Sequence, residues 1–274
     1  MVRPSILPRQ PLAALAYMGW VAFALWLTSF PGLTWAQEPT QEMPRWATEL
    51  RNIRRPHLSP DGRMVAFEQG GDIWVTSANG GVARRLTRHE AHDGSPVFSP
   101  DSRTIAFASN RNGNYDVFVI PVQGGPPQQL TFDSATDFPL AWMPNGQGIL
   151  MLSTRSLSIE LWYLPTNGST PTQLTRFGAY HGHVSPDGQR LVYTISRGTS
   201  DPWQRRYEGS ANYDVYLQSI QGGTGQVPTR ITETRFNEFD PHFSADGQTI
   251  YYRAEEGGSF NLYRHTLGPD GVRE

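Results

Sequence analysis

One short phrase recurs five times along this chain. Ser59, Pro60, Asp61, Gly62 returns as Ser99, Pro100, Asp101, Ser102, as Met143, Pro144, Asn145, Gly146, as Ser185, Pro186, Asp187, Gly188, and as Ser244, Ala245, Asp246, Gly247. The intervals from Asp61 to Asp101, Asn145, Asp187 and Asp246 are 40, 44, 42 and 59 residues. A period of roughly 40 to 45 residues is that of a four-stranded propeller blade, which buries its faces only against its neighbours. The expected fold is therefore all-β: a β-propeller of four-stranded antiparallel blades with about five units present, the last incomplete.

The rest of each repeat agrees. A β-branched and aromatic run follows each turn: Met64 to Phe67, Thr104 to Phe107, Ile149 to Leu152, Leu191 to Ile195, Ile250 to Tyr252. Such runs read as strands. A second run follows, introduced by a carboxylate or amide at Asp72, Asp116, Glu160, Asp214 and Asn261. Gly80 with Gly81, Gly124 with Gly125, Asn167 with Gly168, and Gly222 with Gly223 then supply the positive φ of a tight hairpin. Leu86 and Thr87, Leu130 and Thr131, Leu174 and Thr175, and Ile231 and Thr232 mark a further strand in four repeats.

Asp and Gly together suggest a metal loop, but the alternating carboxylates of a calcium loop are missing. Asp and Asn bond to nearby backbone amides in turns, and the preceding Pro fixes φ, so the phrase is read as structural. Asp93, Asp137 and Glu238 stand six to eight residues before the turn in three units. A local hydrogen-bonding role is expected of them rather than a place in the central channel.

The blades are placed near 50–88, 89–132, 133–176, 177–233 and 234–274. Propellers commonly hold 4 to 8 blades. The fifth unit reaches only Val272, Arg273 and Glu274, just past a Pro269, Asp270, Gly271 turn, so the ring is not expected to close well. This reads as the N-terminal part of a longer protein or a truncated product with an open edge. The alternative is a complete small propeller whose last strand comes from Trp46 to Arg54.

At the other end, Arg3 and Arg9, the apolar stretch Leu12 to Leu27, and Thr34, Trp35, Ala36 before Gln37 have the order of a secretory signal. Residues 1–36 are expected to be a signal peptide cut after Ala36, 37–45 a linker and 46–274 the propeller. A periplasmic or secreted location follows, with the export signal as the only link to a membrane; the alternative is an uncleaved anchor. The absence of cysteine rules out a disulfide framework. With 23 basic and 25 acidic residues and a formal charge of −2 there is no basic footprint for nucleic acid. Partners are expected to be peptides or proteins.

One segment breaks the period: an insertion from Arg197 to Asp214 between the second and third strands of the fourth unit, with Trp203, Arg205, Arg206, Tyr207 and Gly209. Together with the Ser, Pro, Asp, Gly repeats and the Asn110 to Asp116 loop, it resembles the first propeller of tricorn-type serine peptidases over about Pro44 to Glu274. In that family the propeller precedes a second propeller, a PDZ module and a catalytic domain carrying the serine nucleophile and its histidine. The resemblance implies a non-catalytic propeller that docks, filters or positions peptides, or scaffolds the remaining domains of a longer parent chain. The blades are also similar to those of TolB-like and prolyl-oligopeptidase-like propellers, and the alternative is a self-standing periplasmic TolB-like protein that binds a protein partner. Trp203, Arg205, Arg206 and Tyr207 are the candidate binding residues. Their other reading is an inter-blade brace, with an arginine paired to a carboxylate and Trp203 buried.

No catalytic residue is assigned within the chain: the Gly, x, Ser, x, Gly elbow of serine hydrolases is missing. Among the seven histidines, His57 and His242 fall between a blade's Pro and its turn, while His181 and His183 straddle Gly182 at the corresponding place. A His, x, His pair can bind zinc from a strand, but no third ligand of suitable spacing accompanies it. Neither metal nor cofactor is expected.

Overall fold

The computed structural model describes residues 52–156, 158–196, 213–221, 223–256 and 258–268. The first blade holds β1 (Arg54–Leu58), β2 (Met64–Gln69), β3 (Asp72–Ser77) and β4 (Arg84–Arg85). The second holds β5 (Asp93–Phe98), β6 (Thr104–Ser109), β7 (Asp116–Pro121) and β8 (Gln128–Gln129). The third holds β9 (Asp137–Trp142), β10 (Gly148–Ser153), β11 (Glu160–Pro165) and β12 (Thr172–Gln173). The fourth holds β13 (Ala179–Val184), β14 (Arg190–Ser196), β15 (Tyr213–Ser219) and β16 (Thr229–Arg230). The fifth holds β17 (Glu238–Phe243), β18 (Thr249–Glu256) and β19 (Ser259–Thr266). Every sheet runs in chain order with antiparallel neighbours, so the fold is a β-propeller of five blades, the last with three strands.

The repeated phrase is a closed hydrogen-bond circuit. In the first blade Ser59 Oγ donates to Asp61 Oδ1 at 2.6 Å and accepts the Met64 N–H at 2.9 Å, while Asp61 Oδ1 also accepts the Arg63 N–H at 3.1 Å. Gly62 closes the turn at a φ of 71°, where a side chain would be strained. Ser99 with Asp101, Ser185 with Asp187 and Ser244 with Asp246 repeat the arrangement. The serine hydrogen bond is the main cause that holds these aspartates below the usual carboxylate range. Oδ1 of each aspartate is engaged within its own turn, as the structural reading of the phrase expects.

A second circuit explains the Leu and Thr pairs. Thr87, Thr131, Thr175 and Thr232 accept the backbone N–H of Ile73, Val117, Leu161 and Val215 at 2.9 to 3.0 Å, stapling the fourth strand to the third. Thr131 then donates to Asp116 and Thr175 to Glu160, so the carboxylate opening the third strand is satisfied inside its blade. Asp214 has the same place and is bonded by Arg230 at 2.8 Å. Tyr213 and Asp214 therefore belong to β15 rather than to the insertion: both lie in the β14–β15 ladder, and the buried Asp214 carboxylate takes the Arg230 guanidinium of β16.

Asp93, Asp137 and Glu238 are fully buried. Arg111 Nη2 lies 3.0 Å from both oxygens of Asp93, and Arg155 Nη2 lies 2.5 Å from Asp137. Their role is local hydrogen bonding. Glu238 instead receives the hydroxyls of Thr232 and Thr234, each at 2.5 Å. Burial, with the nearby Asp214 charge adding to it, pushes the Glu238 carboxyl up to about 7, against the pull of both threonines and Arg230. The protonated acid therefore stabilises the fold below pH 4.5, and that contribution is lost as pH rises through 7. Glu238→Gln is expected to raise stability at pH 8, by at most about 3 kcal/mol, and to leave it unchanged or lower at pH 4.5. Chemical denaturation at the two pH values checks this; equal effects at both would overturn it.

Apolar side chains join each blade to the next. Ile73 and Val75 of the first pack with Phe98, Ile105 and Phe107 of the second, and Val192, Val215 and Leu217 of the fourth with Phe243, Ile250 and Tyr252 of the fifth. Ile73, Val117, Leu161 and Val215 occupy one repeat position and are all completely buried. Leu262, at the same position of the fifth blade, is 56% exposed. Blades pack along the series from first to fifth, and no comparable packing joins the fifth to the first among the described residues. Residues 1–51, read above as leader, linker and a possible closing strand, and the 269–271 segment lie outside the described residues.

Candidate functional site

Antiparallel order puts two sets of connections at one end of every blade: those from second to third strand, and those from a fourth strand to the next first strand. The innermost strands begin there, so this end forms a mouth. Each inner strand carries a distortion. Arg55, Ser95, His181 and Asp240 share one repeat position, and all have positive φ, between 45° and 54°. Register shifts bracket them, between Arg54 and His57, Gly94 and Val97, Tyr180 and His183, and Phe239 and His242. These are β-bulges, which leave one residue unpaired and re-aim its side chain. The third blade has Pro139 at this position, and the pyrrolidine ring cannot take a positive φ. Non-glycine residues held at such φ cost on the order of 1 to 3 kcal/mol each and cluster at functional sites.

The bulged side chains meet partners on the second strand. Arg55 pairs with Glu68 at 2.9 Å, and His92 reaches the other oxygen of Glu68 at 3.0 Å. Gly94 lets that carboxylate approach: a Cβ there would lie 2.7 Å from Glu68 Oε2. Across the fourth and fifth blades, His181 Nε2 lies 3.7 Å from Asp240 Oδ1, and Arg253 Nε lies 2.6 Å from Asp240 Oδ2. Phe239 and Phe260 flank the Arg253 guanidinium, with ring centroids 5.8 and 5.0 Å from its carbon. Tyr213 and Tyr180 extend this aromatic wall. The result is a partly open ionic cluster on an aromatic floor.

Thr194, His181 and Asp240 form a hydroxyl, imidazole and carboxylate line, since Thr194 Oγ1 lies 3.2 Å from His181 Nδ1. It does not have the shape of a nucleophilic triad. Thr194 is fully buried and its hydroxyl donates to the Tyr180 carbonyl at 3.2 Å, so no substrate carbon can reach it. Asp240 is shared with Arg253, and burial lowers the His181 pKa despite the carboxylate. The cluster is built to hold charges in place, which suits recognition.

His181 and His183 do not converge on one point. His183 Nδ1 accepts the Phe243 N–H at 3.3 Å, which leaves its proton on Nε2, and its ring lies 4.6 Å from that of His242. Burial brings the His183 pKa down to about 4, so the ring is neutral at pH 7. His57 repeats this with the Phe98 N–H at 3.4 Å. These histidines tie one inner strand to the next. Trp203, Arg205, Arg206 and Tyr207 lie outside the described residues; β14 ends and β15 begins at the mouth. Asp240 and Arg253 were not singled out by sequence reasoning. A signal for them exists in Pro56, Pro96 and Pro241, because a proline inside a strand marks an edge or a bulge.

The chain is similar to Tricorn protease homolog 1 of Streptomyces coelicolor, at 36% identity over 61 residues, which are 22% of this chain and 6% of that protein. The matched stretch is thus a small part of a much longer relative. In three dimensions the chain is similar to TolB from Acinetobacter baumannii, with a TM-score of 0.63 and 23% identity over 78% of this chain and 52% of that one. It is also similar to the tricorn protease, with a TM-score of 0.56 and 15% identity over 81% of this chain and 23% of that one. These two likenesses establish the shared fold. The model of the tricorn protease N-terminal β-propeller domain matches residues 53–226, and with that span of blades accounted for the chain belongs to this family.

Proposed function

We propose that this chain is a non-catalytic propeller that captures peptides at the mouth and presents them to a serine peptidase domain of a longer parent chain, outside the cytoplasm. What supports this most is the build of the mouth. Strained inner strands hold His181 and Asp240 beside Arg253 on an aromatic floor, while the hydroxyl of the Thr194 line is sealed from substrate. Strain of this kind is retained where a side chain must be aimed. The placement outside the cytoplasm rests on the Arg3, Leu12 to Leu27 and Ala36 pattern, and N-terminal sequencing after secretion should begin at Gln37. Trp203, Arg205, Arg206 and Tyr207 are assigned to the same capture role.

Calorimetric titration with a pool of short unstructured peptides tests the reading. Arg253→Ala is expected to weaken peptide binding by at least about 10-fold, equal to about 1.4 kcal/mol. Its effect on unfolding should stay within about 1 kcal/mol, because the pair is half exposed and screened. No cleavage products should form. Hydrolysis by the purified chain, or binding untouched by the substitution, would sink the proposal, and capture of a folded protein but no peptide would favour a TolB-like role.

A further inference from the structure

Four Asn–Gly pairs stand in turns of this chain, at Asn79, Asn112, Asn145 and Asn167, and all four asparagines are exposed. Such a pair carries its own chemistry, because the glycine amide nitrogen, unscreened by a side chain, can attack the asparagine side-chain carbonyl carbon. The attack requires that nitrogen to lose its proton, so the fold restrains it wherever the N–H is held by an acceptor. Three pairs are held. Gly80 donates to the Ser77 carbonyl at 3.0 Å, Gly113 to that of Asn110 at 3.1 Å and Gly146 to that of Met143 at 2.9 Å. The Gly168 N–H has no acceptor among the described residues. The cause is local. In the first two blades this hairpin contains two glycines, Gly80 with Gly81 and Gly124 with Gly125, all with φ between 88° and 129°, and Gly124 closes on the Pro121 carbonyl at 2.8 Å as Gly80 does on Ser77. In the third blade Ser169 stands in place of the second glycine and does not take a positive φ, so the turn follows another course and Gly168 loses the equivalent bond. The Asn167 side chain is meanwhile set for attack. Its Oδ1 accepts the Ser169 N–H at 3.0 Å, which folds the side chain back over the Gly168 peptide and draws electron density from Cγ. Asn145 makes the same bond to the Gln147 N–H at 2.9 Å, but its glycine N–H is held.

We infer that Asn167 is a self-modification site, losing its side-chain amide faster than the asparagine of any other Asn–Gly pair in the chain. The Gly168 nitrogen, its proton taken by hydroxide, bonds to Asn167 Cγ; the Cγ–Nδ2 bond breaks, and the amide nitrogen leaves as ammonia with a proton from water. Water then opens the five-membered imide at either carbonyl, leaving aspartate or isoaspartate. The sum is asparagine plus water giving aspartate plus ammonia, with no change of oxidation state. Aspartate keeps an acceptor for the Ser169 N–H, whereas isoaspartate adds a backbone atom to a hairpin whose strands pair through Trp162 with Gln173 and Tyr163 with Thr172.

The purified chain is kept in mildly alkaline buffer made with heavy-oxygen water, folded and in parallel unfolded in denaturant, and sampled by proteolytic mass mapping. In the folded chain Asn167 is expected to take up heavy oxygen at least about 5-fold faster than Asn79, Asn112 or Asn145, the factor that one net backbone hydrogen bond supplies. In denaturant the three restrained pairs are released and should catch up. Asn167→Gln, at an exposed turn position, should abolish the fast phase of ammonia release and leave the other three rates unchanged. A folded chain in which another pair leads or keeps pace, a lead of Asn167 that persists undiminished in denaturant, or a fast phase that survives Asn167→Gln would each overturn the inference.

Discussion

Arg111→Ala is expected to lower the unfolding free energy by about 3 to 5 kcal/mol, among the largest effects of any single replacement outside the apolar core. Asp93 is completely buried, and both its oxygens lie 3.0 Å from Arg111 Nη2. Truncating the arginine leaves an uncompensated charge in a low-dielectric setting, and that, rather than the lost attraction, sets the cost. The guanidinium also lies 4.6 Å from the Phe118 ring, so some packing goes with it. Double replacement by Arg111→Met and Asp93→Leu should recover most of the loss, since a buried ion pair replaced by apolar groups of similar volume is often neutral. Denaturant unfolding of the three variants decides the matter; a double variant no better than Arg111→Ala would show that the pair contributes in some other way.

Leu161→Ala is expected to cost about 2 to 5 kcal/mol, the usual range for emptying a core leucine site. Leu262→Ala, at the same repeat position in the fifth blade, where the leucine is 56% exposed, should change stability by no more than about 0.5 kcal/mol. The sequence positions are equivalent; only the neighbour differs. Leu161 packs with Leu150, Leu174 and Leu191, and its Cδ1 would lie 2.6 Å from a Cβ placed on Gly182. Gly182→Ala should therefore destabilise the wild type and do less harm, or none, once Leu161 is alanine. The double-mutant cycle should depart from additivity by more than about 0.5 kcal/mol. Equal costs at Leu161 and Leu262 would mean that the fifth blade is covered as well as the third.

Blade number, strand order and turn chemistry were all legible in the residues. Asp61, Asp101, Asp187 and Asp246 announce the turn because a short acceptor two residues from an amide closes a local hydrogen bond wherever it stands. The role of Asp93, Asp137 and Glu238 was legible for the same reason, as polar groups entering a strand need partners close by. The insertion was read as running to Asp214, whereas Tyr213 and Asp214 pair in β15, a pairing that depended on the Asp214 carboxylate meeting Arg230 of the next strand. The mouth was not legible. His181, Asp240 and Arg253 stand far apart along the chain, and their shared role follows from a bulge that turns two of them toward a third.

Local interactions repeat with the sequence, so the sequence by itself determined the five-unit all-β plan, the Ser, Pro, Asp, Gly circuits and the stapling threonines. Their hydrogen bonds close almost wholly within one blade, Thr232 alone among the named threonines reaching on to Glu238 of the next. The tertiary structure alone decided which equivalent residues differ in environment. Leu161 and Leu262 share a pattern yet one is buried and the other open, and His181 and His183 are two residues apart yet face different partners. Burial and charge pairing are properties of the neighbouring blade, and only packing the blades side by side fixes them.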